Sequence, residues 1–302
     1  MTKQIVINDV APRDGLQNQD VHLDPQQRLE LIQSLVDSGV RAIEAVSFVH
    51  PKAVPAMAGA AEVVAGLPLM DEVDYSALVP NLKGYELAAT SGIRSVAVVL
   101  CTTQTMNKKN INMSLEETVD SCKGIIAQAN RDGIKARAYV SVAFECPFEG
   151  DVGDDIVIDL ADQMFAAGAD EVIVADTIGA ANPAEVDGLF RQMSQRFDTD
   201  RLSAHFHDTR AMALANVWAA MQHGITRFDS SVAGLGGCPF APGAAGNLAT
   251  EDVVNMVHQM GCETGISETA LMDTVRLASR LMSRELGGRM TPWLKRRAQR
   301  AA

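Results

Sequence analysis

The sequence predicts a (β/α)₈ barrel, and three observations lead to this prediction. Short β-rich runs alternate with longer amphipathic runs eight times, which is typical of parallel strands joined by crossover helices. Apolar residues in the longer runs recur at steps of three and four, as in helices that pack on a sheet. Five glycines come just after a helical run and just before a strand, where helices commonly end: Gly39, Gly92, Gly133, Gly168 and Gly224.

The predicted elements follow one another in regular alternation. The predicted strands are residues 5–9, 42–47, 75–79, 95–100, 135–142, 171–175, 202–206 and 227–230. The predicted helices are residues 25–38, 54–67, 84–91, 115–131, 154–167, 183–196, 210–223 and 251–260, followed by a helix at 268–286 and a polar tail. We therefore predict an α/β protein of one domain, residues 1–302: a TIM barrel over about residues 5–262 and a C-terminal helical extension with its tail over 263–302.

Capping residues mark the beginnings of three predicted helices. Asp24 and Asn182 each precede a proline, which is a favoured pair at a helix start. Ser114 with Glu117 three residues later fits a capping box. A doubly wound sheet is the alternative architecture, but no G-x-G-x-x-G motif follows the first strand.

The composition indicates a soluble globular protein. The chain has 47% hydrophobic and 21% charged residues, and no apolar run reaches the roughly 20 residues that span a bilayer. A net charge of −12 argues against nucleic acid or an anionic membrane as a partner. The amino terminus lacks a signal-peptide pattern, and the five scattered cysteines have no CxxC spacing. These features predict reduced thiols and a cytoplasmic location.

The pair His205 and His207 is the first indication of a functional site. Both lie at the end of the predicted strand 202–206, and side chains two apart on a strand point to the same face. Two imidazoles that point the same way form half of a metal site. A pair of hydrogen-bonded core histidines is nearly as good an interpretation of these two residues alone.

Polar residues at the other predicted strand ends favour the metal site. Catalytic groups in barrels come from the carboxyl ends of the strands. Here those ends carry Arg13 and Asp14, Glu44 and Ser47, Tyr139 and Ser141, Asp176, and a loop that runs from Gly234 to Asn247. Two imidazoles with the Asp14 carboxylate and the Asn247 amide suit Mg²⁺ or Mn²⁺ better than structural zinc. Arg13 is placed to stabilise developing negative charge, although a local ion pair with Asp14 is the simpler alternative.

Cys238 lies in an unusual setting. A lone cysteine is commonly a small buried hydrophobic residue. This one is surrounded by glycines, including Gly234, Gly236, Gly237 and Gly246, and such a loop is too flexible to belong to a core. We therefore predict a mobile loop that delivers a thiol to the site.

The sequence resembles the 3-hydroxy-3-methylglutaryl-CoA lyases, which belong to the metal-dependent acyl-CoA lyase and aldolase barrels. The likeness extends in register over roughly residues 5–265. Its motifs are at residues 12–18, 47–52, 80–84, 108–112, 176–179, 205–209, 229–239 and 246–252. The resemblance implies a divalent-metal-dependent retro-Claisen cleavage of 3-hydroxy-3-methylglutaryl-CoA, or of a close relative, to acetyl-CoA and acetoacetate. It also implies a role in leucine catabolism and a homo-oligomer, either a dimer or a tetramer.

The resemblance also implies the roles of individual residues. The metal ligands would be Asp14, His205, His207 and Asn247, and the catalytic residues Arg13, Asp14, His205 and Cys238. Arg13 would stabilise the enolate, Asp14 or His205 would act as the base, and Cys238 as an acid. The substrate-binding residues would be Arg13, Glu44, Ser47, Tyr139, Asp176 and Arg210, and coenzyme A would lie near Lys108, Lys109 and Asn110. A solvated basic loop is an equal alternative for this lysine-containing stretch.

Departures from the family pattern concern the acyl group more than the reaction. Arg210-Ala211 stands where the family has tyrosine and glycine, and residues 101–106 and the tail after Gly287 also differ. Arg210 is expected to hold the distal carboxylate of the substrate, or to pair with a surface carboxylate instead. Two other functions are alternatives to the lyase reaction. A Claisen-condensing enzyme of the isopropylmalate or citramalate synthase type lacks the Gly-Gly-Cys-Pro loop, and a non-catalytic acyl-CoA-binding barrel needs no metal ligands.

Overall fold

Eight parallel strands form a closed barrel in the computed structural model, which describes residues 3–237 and 246–301. The strands in chain order are β1 (Val6–Asp9), β2 (Ala42–Ser47), β3 (Asp74–Leu78), β4 (Ser95–Cys101), β5 (Lys135–Ser141), β8 (Glu171–Asp176), β9 (Leu202–Phe206) and β10 (Arg227–Ser230), with the hairpin strands β6 (Glu145–Cys146) and β7 (Gly150–Asp151) between β5 and β8. Each barrel strand pairs with the next one in the chain, and β1 closes the barrel against β10. The predicted TIM barrel is therefore confirmed.

The helices surround the barrel and extend it at the carboxyl terminus. They are α1 (Pro25–Asp37), α2 (Ala60–Ala65), α3 (Leu82–Ser91), α4 (Gln104–Ile111), α5 (Leu115–Asp132), α6 (Asp154–Ala166), α7 (Pro183–Arg196), α8 (Ala213–Met221), α9 (Thr250–Gln259), α10 (Glu268–Leu281) and α11 (Thr291–Ala301). Helices α10 and α11 form the predicted C-terminal extension. None of the helices in the described part of the chain is long and apolar enough to cross a membrane.

The predicted helix ends agree closely with the structure. All five predicted C-terminal glycines have positive φ, from 69° at Gly133 to 101° at Gly39. Asp24, Ser114 and Asn182 each accept a hydrogen bond from a backbone N–H of the first turn, as capping residues do. Local side-chain chemistry is therefore sufficient to place these boundaries.

Three predicted elements were wrong in their extent. The helix predicted at 54–67 is a short 3₁₀ turn, Pro55–Met57, followed by α2, because Gly59 has a left-handed φ of 73° between them. The helix predicted from Arg210 begins only at Ala213, since Ala211 has a φ of 59° and interrupts the regular backbone. The helix predicted at 268–286 ends at Leu281, and the predicted polar tail contains a further helix, α11.

Three further elements lie at the carboxyl end of the barrel and were not predicted. A π-helical turn, Ala11–Gly15, follows β1 directly and carries two of the expected site residues. Helix α4 follows β4, and the hairpin of β6 and β7 follows β5. These insertions lie at the strand ends where barrel enzymes place their chemistry.

Candidate metal centre and active site

Two histidines and one aspartate meet at the carboxyl end of the barrel. His205 lies on β9 and His207 just beyond it, while Asp14 lies in the π-helical turn after β1. The ligand atoms of these three side chains all lie within 4.8 Å of one another. No other group of three potential metal ligands was found in residues 3–237 and 246–301.

Asn247 is brought to the same place by backbone pairing. Asn247 forms an antiparallel bridge with His207. On one side of this bridge the Leu248 N–H donates to the Phe206 carbonyl at 3.0 Å, and on the other the Asp208 N–H donates to the Gly246 carbonyl at 3.1 Å. The Asn247 side-chain amide donates to Asp14 Oδ2 at 2.8 Å. A Cβ atom at Gly236 would lie 2.6 Å from this amide nitrogen, so only glycine allows the close approach.

The electrostatics of the group favour cation binding. Burial alone would raise the pKa of Asp14, but the Arg13, His205 and His207 side chains lower it to about 2. Burial, together with the neighbouring charge of His205, lowers the pKa of His207 to about 4. At neutral pH the site therefore contains an ionised carboxylate and a neutral imidazole, which are the forms that bind metal ions.

Two orphaned polar atoms provide a test of whether a metal ion fits this site. His207 Nδ1 and Asn247 Oδ1 are both buried, and neither has a hydrogen-bond partner in the described residues. Buried polar atoms are rarely left without a partner, and both atoms have lone pairs suited to a divalent cation. The side chains present therefore fit the predicted Mg²⁺ or Mn²⁺.

Asp229 orients the other histidine and was not assigned a role from the sequence. Its Oδ2 lies 3.0 Å from His205 Nδ1 and accepts the Tyr139 hydroxyl at 2.8 Å, and its Oδ1 accepts from the Asn8 amide at 2.8 Å. Burial would raise the pKa of Asp229, but the hydrogen bond from His205 lowers it below its usual value. A carboxylate on Nδ1 leaves Nε2 as the ligand atom of His205. A charged residue inside a short buried strand is the sequence feature that could have revealed it.

Arg13 lies between two carboxylates. Its Nε donates to Glu44 Oε1, and its Nη1 donates to Asp14 Oδ1 at 2.6 Å. Burial alone would lower the pKa of Arg13, but the two carboxylates raise it above its usual value. The guanidinium is therefore a permanent positive charge held in a fixed position beside the metal ligands.

Asp9, at the end of β1, connects the segments that carry these residues. Its Oδ1 accepts from the Ala11 N–H at 2.9 Å, at the start of the π-helical turn. Its Oδ2 accepts from the Val232 N–H at 3.0 Å and from the Thr250 hydroxyl at 2.7 Å. One buried carboxylate thus joins the turn of Asp14 to both ends of the glycine-rich loop.

A cavity of about 420 Å³ is lined by three of the predicted metal ligands, Asp14, His205 and His207, and by Arg13. Apolar residues, among them Val54, Met106 and Ile111, also line it. Three predicted substrate- or coenzyme-binding residues, Ser47, Tyr139 and Asn110, also line it. The buried Ser47 hydroxyl has no hydrogen-bond partner among the residues described, which makes it available to a ligand.

Two other predicted site residues, Asp176 and Arg210, do not line the cavity. The Asp176 carboxylate accepts from the Ala180 and Ala181 N–H groups at 2.8 and 3.1 Å, and burial raises its pKa to about 6. The Nε of Arg210, which is an exposed residue, donates to the Gly179 carbonyl at 3.2 Å. Both residues therefore bond to the turn that follows β8.

The predicted lysines lie on α4, which is a helix and not the basic loop considered from the sequence. Lys108 and Lys109 do not line the cavity, while the next residue, Asn110, does. The Lys109 ammonium lies 4.7 Å from the ring centroid of Phe148, in the turn of the β6–β7 hairpin.

Cys238 lies outside the described residues. The residue before it in the chain, Gly237, lines the cavity. The Gly237 carbonyl accepts from the Asn18 amide at 3.1 Å, and the Gly236 carbonyl accepts from the Gln19 amide at 3.1 Å.

A C-terminal segment, residues 287–291, binds against the start of α9. The Gly288 N–H donates to Glu251 Oε1 at 2.6 Å, and the Arg289 N–H donates to Asp252 Oδ2 at 2.7 Å. The Arg289 side chain also donates to Asp208 Oδ2 at 2.7 Å, and Asp208 directly follows His207. A Cβ atom at Gly288 would lie 2.6 Å from Asp252 Cγ, so glycine is required for this contact. The segment therefore bonds to the residue after His207 and to the start of α9.

The fold and the site together define a TIM-barrel enzyme with a group of metal-ligating side chains at the carboxyl end of its strands. Comparison with known proteins identifies the family. The family model described as HMGL-like matches residues 4–278. The chain therefore belongs to the HMGL-like family.

Individual relatives cover nearly the whole chain. The hydroxymethylglutaryl-CoA lyase of Pseudomonas mevalonii is 43% identical over 278 residues, which cover 92% of each chain. The hydroxymethylglutaryl-CoA lyase of Bacillus subtilis is 42% identical over 287 residues, covering 95% of this chain and 96% of the relative. The crystal structure of hydroxymethylglutaryl-CoA lyase from Pseudomonas aeruginosa matches with a TM-score of 0.95 and 37% identity, and covers 98% of this chain and 99% of that one.

Proposed function

We propose that this protein cleaves 3-hydroxy-3-methylglutaryl-CoA to acetyl-CoA and acetoacetate. The observation that carries the proposal is the meeting of Asp14, His205 and His207 within 4.8 Å at the end of a cavity that Arg13 also lines. Relatives that share 42–43% of their residues with this chain have the same activity in their names. The predicted lyase function, with Mg²⁺ or Mn²⁺ as the cofactor, is therefore the one that the site supports best.

The proposed metal ligands are those predicted from the sequence: Asp14, His205, His207 and Asn247. A divalent ion held there supplies Lewis-acid chemistry, which lowers the pKa of the tertiary hydroxyl and polarises the acyl oxygen. His205 directs Nδ1 at Asp229, so its one free lone pair, on Nε2, is used as a ligand. Asp14 has two carboxylate oxygens, so one can bind the metal ion while the other accepts a proton. Of the two predicted bases, we therefore propose that Asp14 removes the hydroxyl proton.

The remaining residues bind the acyl group, stabilise the enolate of acetyl-CoA and return its proton. Once the hydroxyl proton is removed, the carbon–carbon bond breaks, acetoacetate is released, and the bonding electrons pass to the enolate of acetyl-CoA. Arg13 Nη2 makes no hydrogen bond to any described residue, so we propose that this nitrogen donates to the enolate oxygen. Ser47 and Tyr139 contact the acyl group from the cavity wall. The proton that completes acetyl-CoA comes from Cys238, in keeping with its predicted role as an acid.

The coenzyme A part of the substrate is assigned to α4. Asn110 lines the cavity, and the two lysines before it add positive charge to the same helix. Glu44 and Asp176 act as supporting carboxylates, through Arg13 and through the turn after β8 respectively. Arg210 bonds to this same turn, so its influence on the acyl group would pass through the backbone at Gly179.

The setting of the reaction is also a proposal. We place the enzyme in the cytoplasm and in leucine catabolism, and the thiols of Cys122, Cys146 and Cys262 suit a reducing compartment. We also propose a homo-oligomer, a dimer or a tetramer. Its support is the half-exposed Trp218 on α8 and Leu87 on α3, and light scattering of the purified protein measures it directly.

The test is acetyl-CoA release from 3-hydroxy-3-methylglutaryl-CoA, with and without EDTA. The proposal requires activity that EDTA removes and Mg²⁺ or Mn²⁺ restores, and the same loss in His207→Ala. His223→Ala is the matched control, because this histidine lies in the turn after α8 and bonds to Asp187 on α7 at 2.7 Å. Condensation of acetyl-CoA with an oxo acid would instead favour a synthase, and binding without turnover would favour a non-catalytic barrel.

A further inference from the structure

Arg28, on α1, is a buried arginine that has no acidic partner. Its relative exposure is 0%, and no carboxylate pairs with it among the residues that the structure describes. Burial lowers its pKa to about 10, so the guanidinium remains charged at neutral pH. A buried charge without a counter-ion is costly and is kept only where backbone or side-chain dipoles compensate it. The hydrogen bonds that Arg28 makes to the backbone therefore indicate why a charged side chain is buried at this position.

The first of these bonds reaches an irregularity in β2. Arg28 Nη2 donates to the Ala45 carbonyl at 3.3 Å. Glu44 pairs with Ser76 on β3 and Val46 pairs with Ala77, so Ala45 is an extra residue between consecutive pairs. Such a bulge leaves its own backbone groups outside the regular ladder, and a buried carbonyl needs another donor. Arg28 supplies that donor.

The bulge changes which way the rest of β2 faces. Successive side chains on a regular strand alternate, so residues three apart point to opposite faces. Glu44 and Ser47 are three apart, yet both point into the barrel. Glu44 accepts from Arg13 and from the Tyr139 hydroxyl at 3.2 Å, and Ser47 lines the cavity. The extra residue at Ala45 is what makes this arrangement possible.

The second bond of Arg28 reaches the loop that follows β2. Arg28 Nη1 donates to the Ala58 carbonyl at 3.1 Å. Residues earlier in this loop, Val49, His50, Ala53 and Val54, line the cavity. The next residue, Gly59, packs so closely on α1 that a Cβ atom there would lie 2.7 Å from Pro25 Cγ. The same guanidinium thus fixes both the bulge and the far end of the loop.

We propose that Arg28 is a positioning residue that holds the β2 bulge and thereby directs both Glu44 and Ser47 into the active site. The inference rests on the proposed function only in that Arg13, the partner of Glu44, is taken to act on the substrate. Arg28 lies on α1 and does not line the cavity, so it acts through the backbone of β2.

Enzyme kinetics give the first test. Arg28→Met keeps an apolar stem and removes the guanidinium, while Leu35→Ala shortens another fully buried side chain of α1. Both variants should lower Tm, but only Arg28→Met should lower kcat, by about 10- to 100-fold, because a misplaced catalytic group loses its orientation. Mn²⁺ affinity should not change in either variant, since no predicted ligand lies on β2. Arg28→Lys, with one donor group, should recover part of kcat.

A labelling experiment tests the bulge without any use of activity. In Ser47→Cys the new thiol lines the cavity, and its alkylation can be followed by peptide mapping. Adding Arg28→Met should slow this alkylation at least tenfold, and adding Leu35→Ala should not. Equal labelling rates in the two double variants, or kcat values that fall equally in Arg28→Met and Leu35→Ala, would overturn the inference. Failure of the wild-type protein to cleave the substrate would affect only the proposed function, because the labelling result stands by itself.

Discussion

Asp229→Asn should weaken metal binding while it preserves the size of the side chain. The carboxylate accepts from His205, Tyr139 and Asn8, at 3.0, 2.8 and 2.8 Å. The substitution removes the negative charge opposite His205 Nδ1, and directs an NH₂ group towards at least one of these donors. His205 then loses the partner that fixes its tautomer with Nε2 free.

The size of the effect follows from the bond that is changed. A hydrogen bond to a charged group contributes about 1.5–3 kcal/mol and a neutral one about 0.5–1.5 kcal/mol, so the loss is about 1–2 kcal/mol. This corresponds to an affinity for Mn²⁺ about 5- to 30-fold weaker, within the range usual for residues that orient metal ligands. Calorimetric titration with Mn²⁺ measures the change, and excess Mn²⁺ should recover much of the activity.

Glu171→Gln is the matched control for this experiment. Glu171 is also a barrel carboxylate, but it pairs with Arg137 and Arg227 at the opposite end of the barrel. It should lower Tm without changing the affinity for Mn²⁺. If Asp229→Asn kept the wild-type affinity and lost only stability, as Glu171→Gln does, then Asp229 would not orient His205 for a metal ion.

Three further predictions concern a thiol, a guanidinium and a buried carboxylate. Cys238→Ser should bind substrate but lower kcat at least about tenfold, because serine is a far weaker acid; a near wild-type kcat would contradict the proposed acid. Arg210→Tyr should change the ratio of kcat/KM values among several 3-hydroxyacyl-CoA substrates, and an unchanged ratio would place Arg210 outside acyl selection. Burial raises the pKa of Asp9 to about 7, so folding takes up a proton and stability falls as pH rises from about 4 to about 7. Asp9→Asn should flatten this dependence by about 3 kcal/mol between pH 5 and pH 8, as urea unfolding would show.

Much of the site was accessible from the sequence because its signals are local. His205 lies on β9 and His207 two residues later, just past the strand end, and this spacing brings their ring centroids to 5.1 Å. The barrel then brings Asp14 to the same end, since the carboxyl ends of parallel strands share one rim. Asn247 was chosen as the amide at the end of the glycine-rich loop after the last strand, and the family resemblance then supported this choice, because no periodicity marks an amide in an irregular segment.

The residues that were missed depend on contacts distant in the sequence. Asp229 orients His205 across two neighbouring strands, and no short-range pattern reveals which way its carboxylate points. The sequence contains an indication of the β2 bulge. Glu44 and Ser47 were both predicted in the site, although residues three apart on a regular strand point to opposite faces. The start of α8 was predicted too early because Ala211 adopts a left-handed backbone, which an alanine rarely does.

The bonds of residues 287–291 have a consequence for the order in which the protein is made. Ribosomes synthesise the chain from its amino terminus, so α9 leaves the ribosome before Gly288 and Arg289 can bind to it. Until they do, Glu251 lacks its bond from the Gly288 N–H, and Asp208 lacks its ion pair with Arg289. A nascent chain that stops short of this segment lacks these contacts beside His207. Completion of the proposed metal site is thus coupled to synthesis of a segment that lies outside the barrel itself.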